Sequence, residues 1–178
     1  EGVFAYSTMN TLYFDACINP VPPGMFKFSN IGQIIWNPNC GGQAVLTFGD
    51  YAFQDSTFTT IDIPDTITGF CEGVFYNCDS LTGIDFQGAV DFSGMCSKNF
   101  FDCDVLTGIE WPNAFSFMWS QNFESCDILE SMDFSNTQLE YILSANFKDA
   151  PLLNQIQWPN TLTSILDGNF ENCTSLSE

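Results

Sequence analysis

Four carboxylates recur at near-constant intervals: Asp62, Asp85, Glu110 and Asp133 are separated by 23, 25 and 23 residues. Each sits between two apolar residues, Ile61/Ile63, Ile84/Phe86, Ile109/Trp111 and Met132/Phe134. An apolar–X–apolar triplet is a short strand with X pointing outward. If the triplets stack, the four carboxylates form one acidic row. Like charges opposite one another on neighbouring strands are destabilising. At roughly 5 Å and an effective dielectric near 20, each contact costs about 3 kcal/mol before salt screening.

Three chemistries would offset that cost. The row can be a solvated acidic face with diffuse counter-ions. It can hold a hard cation such as Ca²⁺, which prefers clustered carboxylate and carbonyl oxygens, although the spacing matches no EF-hand loop. Or it can face a cationic partner surface. Tyr13 and Ile35 continue the row toward the N-terminus, Gln157 toward the C-terminus. Thr11, Gln33 and Asn37 add a mixed polar and apolar patch suited to a protein or a glycan. Catalysis has little to draw on. The chain has no His and no Arg, which removes Ser-His-Asp and Cys-His arrangements, imidazole metal ligands and bidentate anion clamps. A carboxylate pair for glycoside hydrolysis remains in composition, with no cleft marked for it, so the chain reads as no enzyme.

The elements that must carry this row are copies of one unit. Phenylalanine recurs at Phe4, Phe26, Phe53, Phe75, Phe100, Phe123, Phe147 and Phe170, with gaps of 22, 27, 22, 25, 23, 24 and 23 residues. Such a period means a stacked solenoid of about eight repeats, a single domain over residues 1–178. Three residues after each phenylalanine stands a small side chain: Ser7, Ser29, Ser56, Cys78, Cys103, Cys126, Ala150 or Cys173. An apolar residue follows two or three positions later, then the strand triplet. Eight residues before the phenylalanine lie Ile18, Val45, Ile67, Phe92, Phe115, Leu139 and Leu162. Four before it lie Pro22, Gly49, Cys71, Cys96, Trp119, Leu143 and Leu166, read here as a further inward column. No single 23-residue turn buries these groups alone; stacked neighbours do. The alternative architecture is a parallel β-helix, but only one regular i, i+2 pair per unit is visible, and the Phe-x-x-Cys-x-x-Leu spacing is closer to helical.

The stretches GVFYNCDSLTGIDF (73–86), NFFDCDVLTGIEWP (99–112) and NFENCTSLSE (169–178) resemble BspA-type leucine-rich repeats, whose motif has the form A-F-x-x-C-x-x-L-x-x-I-x-I-P. The resemblance covers essentially the whole chain and is looser in the first three units, where serine replaces cysteine. It implies an α/β repeat solenoid: a right-handed leucine-rich-repeat-type coil of about 22–27 residues, with a concave parallel sheet and turns or short helical pieces opposite. It also implies a secreted or surface-attached bacterial or protist protein linked to adhesion.

Composition sets further bounds. The net charge is −19, with 22 acidic residues against Lys27, Lys98 and Lys148. That excludes nucleic acid, which needs basic groups to neutralise phosphate, and argues against an anionic bilayer. No 18-residue apolar run is present, so nothing in this segment inserts into a membrane. Of the eight cysteines, Cys78, Cys103, Cys126 and Cys173 read as free core thiols acting as small hydrophobes. Cys71 and Cys96 share a column, and free or bridged both stand. Cys17 and Cys40 fall in turns and form the best disulfide pair. Asn172-Cys173-Thr174 is a glycosylation sequon. Neither end carries a polar capping unit, so a segment of a longer protein is expected. The resulting expectation is extracellular recognition of a protein or glycan on another cell or matrix. The competing one is a structural subunit of a filament, sheath or appendage, built by end-to-end stacking with neighbouring copies.

Overall fold

The computed structural model describes residues 2–15, 19–37, 47–86 and 88–177. Cys17 and Cys40 lie outside them, as do Ile18 and Val45. The strand triplets form parallel pairs, as their alternation predicts. β1 (Thr8–Asp15) pairs with β2 (Asn30–Asn37), β4 (Thr60–Asp62) with β6 (Gly83–Asp85), and β9 (Ser131–Asp133) with β11 (Gln155–Gln157). The registers match the repeat, with Leu12 opposite Ile34, Ile61 opposite Ile84 and Met132 opposite Ile156.

A second ladder runs along the coils and is the longer of the two. β3 (Thr47–Phe48), β5 (Gly69–Phe70), β7 (Gly94–Met95), β8 (Phe117–Met118), β10 (Tyr141–Ile142) and β12 (Ser164–Ile165) form a six-stranded parallel sheet. Its inward column is Phe48, Phe70, Met95, Met118 and Ile142, each at most 3% exposed, five residues before the repeat phenylalanine. This corrects the expected column four residues before it. Cys71, Cys96 and Leu143 are half-buried, and Trp119 and Leu166 are exposed. In a strand, a one-residue shift exchanges the two faces.

The Phe-x-x-Cys-x-x-Leu segment is a run of turns, and no helix occurs among the described residues. Two left-handed residues bracket each repeat phenylalanine from Phe26 onward. Gly73 and Asn77 flank Phe75, Lys98 and Asp102 flank Phe100, Gln121 and Ser125 flank Phe123, and Ala145 and Asp149 flank Phe147. A left-handed residue stops a right-handed helix. Here it turns alternate N–H groups toward the next coil: Gly73, Phe75 and Asn77 donate to Ser97, Asn99 and Phe101 at 2.8–2.9 Å. Gly73 also has no room for a side chain, because an added Cβ would lie 2.3 Å from the Tyr51 ring.

The core is a set of columns. The repeat phenylalanines stack along the whole described length, from Phe4 on Phe26 at 5.5 Å to Phe147 on Phe170 at 5.9 Å, with neighbouring rings within 11° of parallel. Burying each ring is worth roughly 1.5–3 kcal/mol, and offset stacking adds about 0.5–1.5 more. The small residue three positions on closes each step. The hydroxyl of Ser56 donates to the Phe26 carbonyl at 2.8 Å, and the thiols of Cys78, Cys103 and Cys126 donate to Phe53, Phe75 and Phe100 at 3.2 Å. These three thiols are free and fully buried, and burial pushes their pKa values up.

One core column was not anticipated. Asn99, Asn122, Asn146 and Asn169, each just before a repeat phenylalanine, are buried. The side-chain oxygen of each of the last three accepts the backbone N–H of the asparagine before it, at 2.8–3.1 Å. Each amide nitrogen donates to a carbonyl three residues back. The signal in the sequence is the Asn-Phe dipeptide, present four times in the last four units.

Candidate functional site: the strand-row face

The row residues are held by the triplets on either side of them. In β4 and β6, Ile61 and Ile84 point inward while Asp62 and Asp85 stand directly opposite each other, half-buried and exposed. Asp133, on β9, is exposed and pairs with Gln157 on β11. Glu110 is exposed between buried Ile109 and Trp111, but its triplet forms no strand. Tyr13 and Ile35 are partners on β1 and β2, 77% and 36% exposed; Thr11 and Gln33 are exposed beside them. The row therefore exists as three two-stranded pieces, and Asp62–Asp85 is its one directly opposed acidic pair among the described residues.

Local bonds tie the pieces. The indole of Trp36 donates to the Asp62 carbonyl at 2.8 Å, and the Ile63 N–H to the Asp85 carbonyl at 2.7 Å. The Asp133 carboxylate accepts the Ser135 N–H at 2.8 Å, and its bonds to Ser135 hold its pKa below the usual carboxylate range.

A cleft of about 590 Å³ opens where the strand row breaks. Asp85 and Glu110 stand on its walls with Val90, Pro112 and Asn113, and Phe86 and Trp111 form its apolar floor. The unit containing it has 25 residues between phenylalanines, and the excess lies between Phe86 and Phe92.

No lysine lies on this face. Lys98 and Lys148 pair with Glu72 and Glu124 at 3.9 and 3.6 Å, and Lys27 lies 5.0 Å over the Phe28 ring, all on the turn segments around the phenylalanine column. A second acidic group also lies there, not foreseen from the sequence. Asp79, Asp102 and Asp104 have raised pKa values, first through partial burial and then through one another and the neighbouring Asp55 and Asp127. Among the described residues, no three His, Cys, Asp or Glu side chains converge as a metal site requires, which leaves the calcium expectation without a cluster.

The remaining sequence-derived sites fall elsewhere. Cys71 and Cys96 are adjacent, half-buried and free on the outer face of the six-stranded sheet. Burial is the main cause that raises both pKa values. Asn172 is exposed at a left-handed position with its amide bonded to Asp149; its Cys173 is buried and its Thr174 hydroxyl is bonded to the Pro151 carbonyl. The Cys17–Cys40 pair lies outside the described residues. No helix of the described residues is long and apolar enough to cross a membrane.

A family model described as the BspA type leucine rich repeat region matches in six copies, over residues 1–82 and 46–177. No curated protein matches. Several solved structures share the fold. A leucine-rich repeat protein of T. pallidum is 16% identical, with TM-score 0.59 over 94% of this chain and 82% of its own. One from Bacteroides ovatus ATCC 8483 is 21% identical, with TM-score 0.63 over 95% and 48%. A leucine-rich cell surface protein of Faecalibacterium prausnitzii A2-165 is 18% identical, with TM-score 0.68 over 96% and 47%. The chain spans about half the length of the last two. Repeats of this kind are typically non-catalytic and support protein interaction. With its phenylalanine, small-residue and strand columns all in place, this chain belongs to the BspA-type leucine-rich repeat family.

Proposed function

We propose that the chain is an extracellular, cell-surface recognition module that binds a protein partner through the strand-row face. The observation that carries the reading is the cleft between Asp85 and Glu110, set in a row of carboxylates with no lysine on the same face. A partner presenting lysine or arginine side chains would neutralise the row, and their aliphatic stems would pack on the apolar floor. A cell-surface relative with the same fold agrees with this placement. The test is binding of the labelled protein to cells and to extracellular matrix. Replacing Asp62, Asp85 and Asp133 by Asn and Glu110 by Gln should weaken binding at least tenfold and flatten its salt dependence. Unchanged binding by the quadruple variant would remove the row from the mechanism.

A further inference from the structure

The two sheets obey the same alternation but carry opposite outer faces. Outward positions of the strand-row pieces from β4 on are polar: Asp62, Asp85, Ser131, Asp133, Gln155 and Gln157. Outward positions of the six-stranded sheet in the last units are apolar apart from Ser164, the β12 partner of Tyr141. Phe117 and Tyr141 are register partners. Trp119, Leu143 and Leu166 continue the same strands, their N–H groups each donating to the previous coil at 3.1 Å. Residues two apart share a face, so these five side chains form one surface. Trp119 is 46%, Tyr141 41% and Leu166 45% exposed. An outer sheet face open to water ordinarily takes polar residues, and contiguous exposed apolar groups mark interaction surfaces.

Charge decides what covers it. Glu140 and Asp167, both exposed, are the chain neighbours of Tyr141 and Leu166 at the ends of these strands. The chain as a whole is −19, so a second copy would bring like charge against like. We propose that this face docks a segment of a partner protein that presents aliphatic or aromatic side chains flanked by lysine or arginine. Apolar contact with Trp119, Tyr141 and Leu166 holds the segment, and Glu140 and Asp167 take its basic flanks. This surface is separate from the acidic strand row.

The test uses the full chain and a twelve-residue peptide of alternating leucine and lysine, titrated by fluorescence anisotropy in 150 mM NaCl. The comparison is between the strand-row quadruple variant, whose row no longer takes the peptide's lysines, and the same chain also carrying Trp119→Thr/Leu166→Thr, here called the double variant. We expect at least a tenfold loss when the two apolar substitutions are added, and at least a tenfold loss when glutamate replaces lysine in the peptide. Equal binding after those two substitutions, or equal binding of the glutamate peptide, overturns the proposal. So does a dimer seen by sedimentation of the protein alone that the double variant abolishes. Both variants change outward positions, exposed except for the half-buried Asp62, and an unchanged melting temperature confirms that they fold.

Discussion

Replacing Asn122 by alanine tests whether the buried asparagine column is structural support or mere filling. Asn122 accepts the Asn99 N–H at 3.0 Å and donates to the Trp119 carbonyl and the Asn146 side-chain oxygen, both at 3.1 Å. Alanine leaves the Asn99 N–H and the Trp119 carbonyl without that partner. A buried group stripped of its bond costs about 1–3 kcal/mol, so the two together cost about 2–6 kcal/mol, with the lower half expected as water reaches the half-covered carbonyl. The assay is urea unfolding followed by tryptophan fluorescence and far-UV circular dichroism. The midpoint should fall with unchanged slope, and the two probes should coincide. Asn146→Ala removes the acceptor of that shared side-chain bond. The double variant should therefore lose about 1 kcal/mol less than the sum of the singles. A single-variant loss below about 0.5 kcal/mol, or strict additivity, would refute the reasoning from orphaned groups.

Two further perturbations address the acidic turn segments and the six-stranded sheet. Asp79, Asp102 and Asp104 have folded pKa values raised above their ordinary ones. Between those two values the native state binds more protons than the unfolded chain, so stability rises as pH falls through the raised values, and the gain is complete below the ordinary range near 4. Melting temperature should increase as pH falls from neutral toward 4 at low salt, increase with NaCl at pH 7, and lose most of both trends in Asp79→Asn/Asp104→Asn; a steady fall with acidification over that range would count against it. Asp133, shifted down, adds an opposing loss only below the ordinary carboxylate range. At Gly94 an added Cβ would lie 2.6 Å from the Phe117 ring. Gly94→Ala should destabilise by about 1–3 kcal/mol through overpacking, with most of the loss recovered in Gly94→Ala/Phe117→Ser, and no recovery would place the strain elsewhere.

The sequence made the strand triplets and the phenylalanine column legible because both carry a clear period. Alternation over Ile61–Ile63 or Met132–Phe134 has one reading, and a phenylalanine every 22–27 residues has one cause. The six-stranded sheet was harder to read because strands of two residues show no alternation, leaving two adjacent columns to choose between. The column five before the phenylalanine runs Val21, Phe48, Phe70, Met95, Met118, Ile142 and Ile165, apolar throughout, whereas the one four before includes Pro22, Gly49 and two cysteines. Uniform apolarity was the available signal for the inward choice. The turn segments misled by spacing. Phe-x-x-Cys-x-x-Leu fits a helix, yet Asp, Asn or Gly at many of the flanking positions favours the left-handed conformation that stops one. The asparagine column was hidden because a buried polar residue is read as surface until its partners are seen.

The break in the strand row bears on how this face carries its charge. A continuous ladder would set Asp85, Glu110 and Asp133 opposite one another at strand spacing, with repulsion of about 3 kcal/mol per contact before screening. The Glu110 triplet lies outside any strand and Asp133 pairs with Gln157, so the Asp62–Asp85 step alone holds two acids in strand register. Asp85 and Glu110 line the cleft with Phe86 and Trp111, beside the long segment after Phe86. If that segment sets the spacing of the two carboxylates, it lowers the internal cost of the row while keeping its negative potential. Shortening the segment after Phe86 by removing Val90 and Asp91 tests this coupling. The shortened chain should lose the cleft and bind a cationic partner more weakly, while its melting temperature becomes more sensitive to salt as the carboxylates close up. A shortened chain with unchanged salt sensitivity would show that the break does not relieve the row's charge.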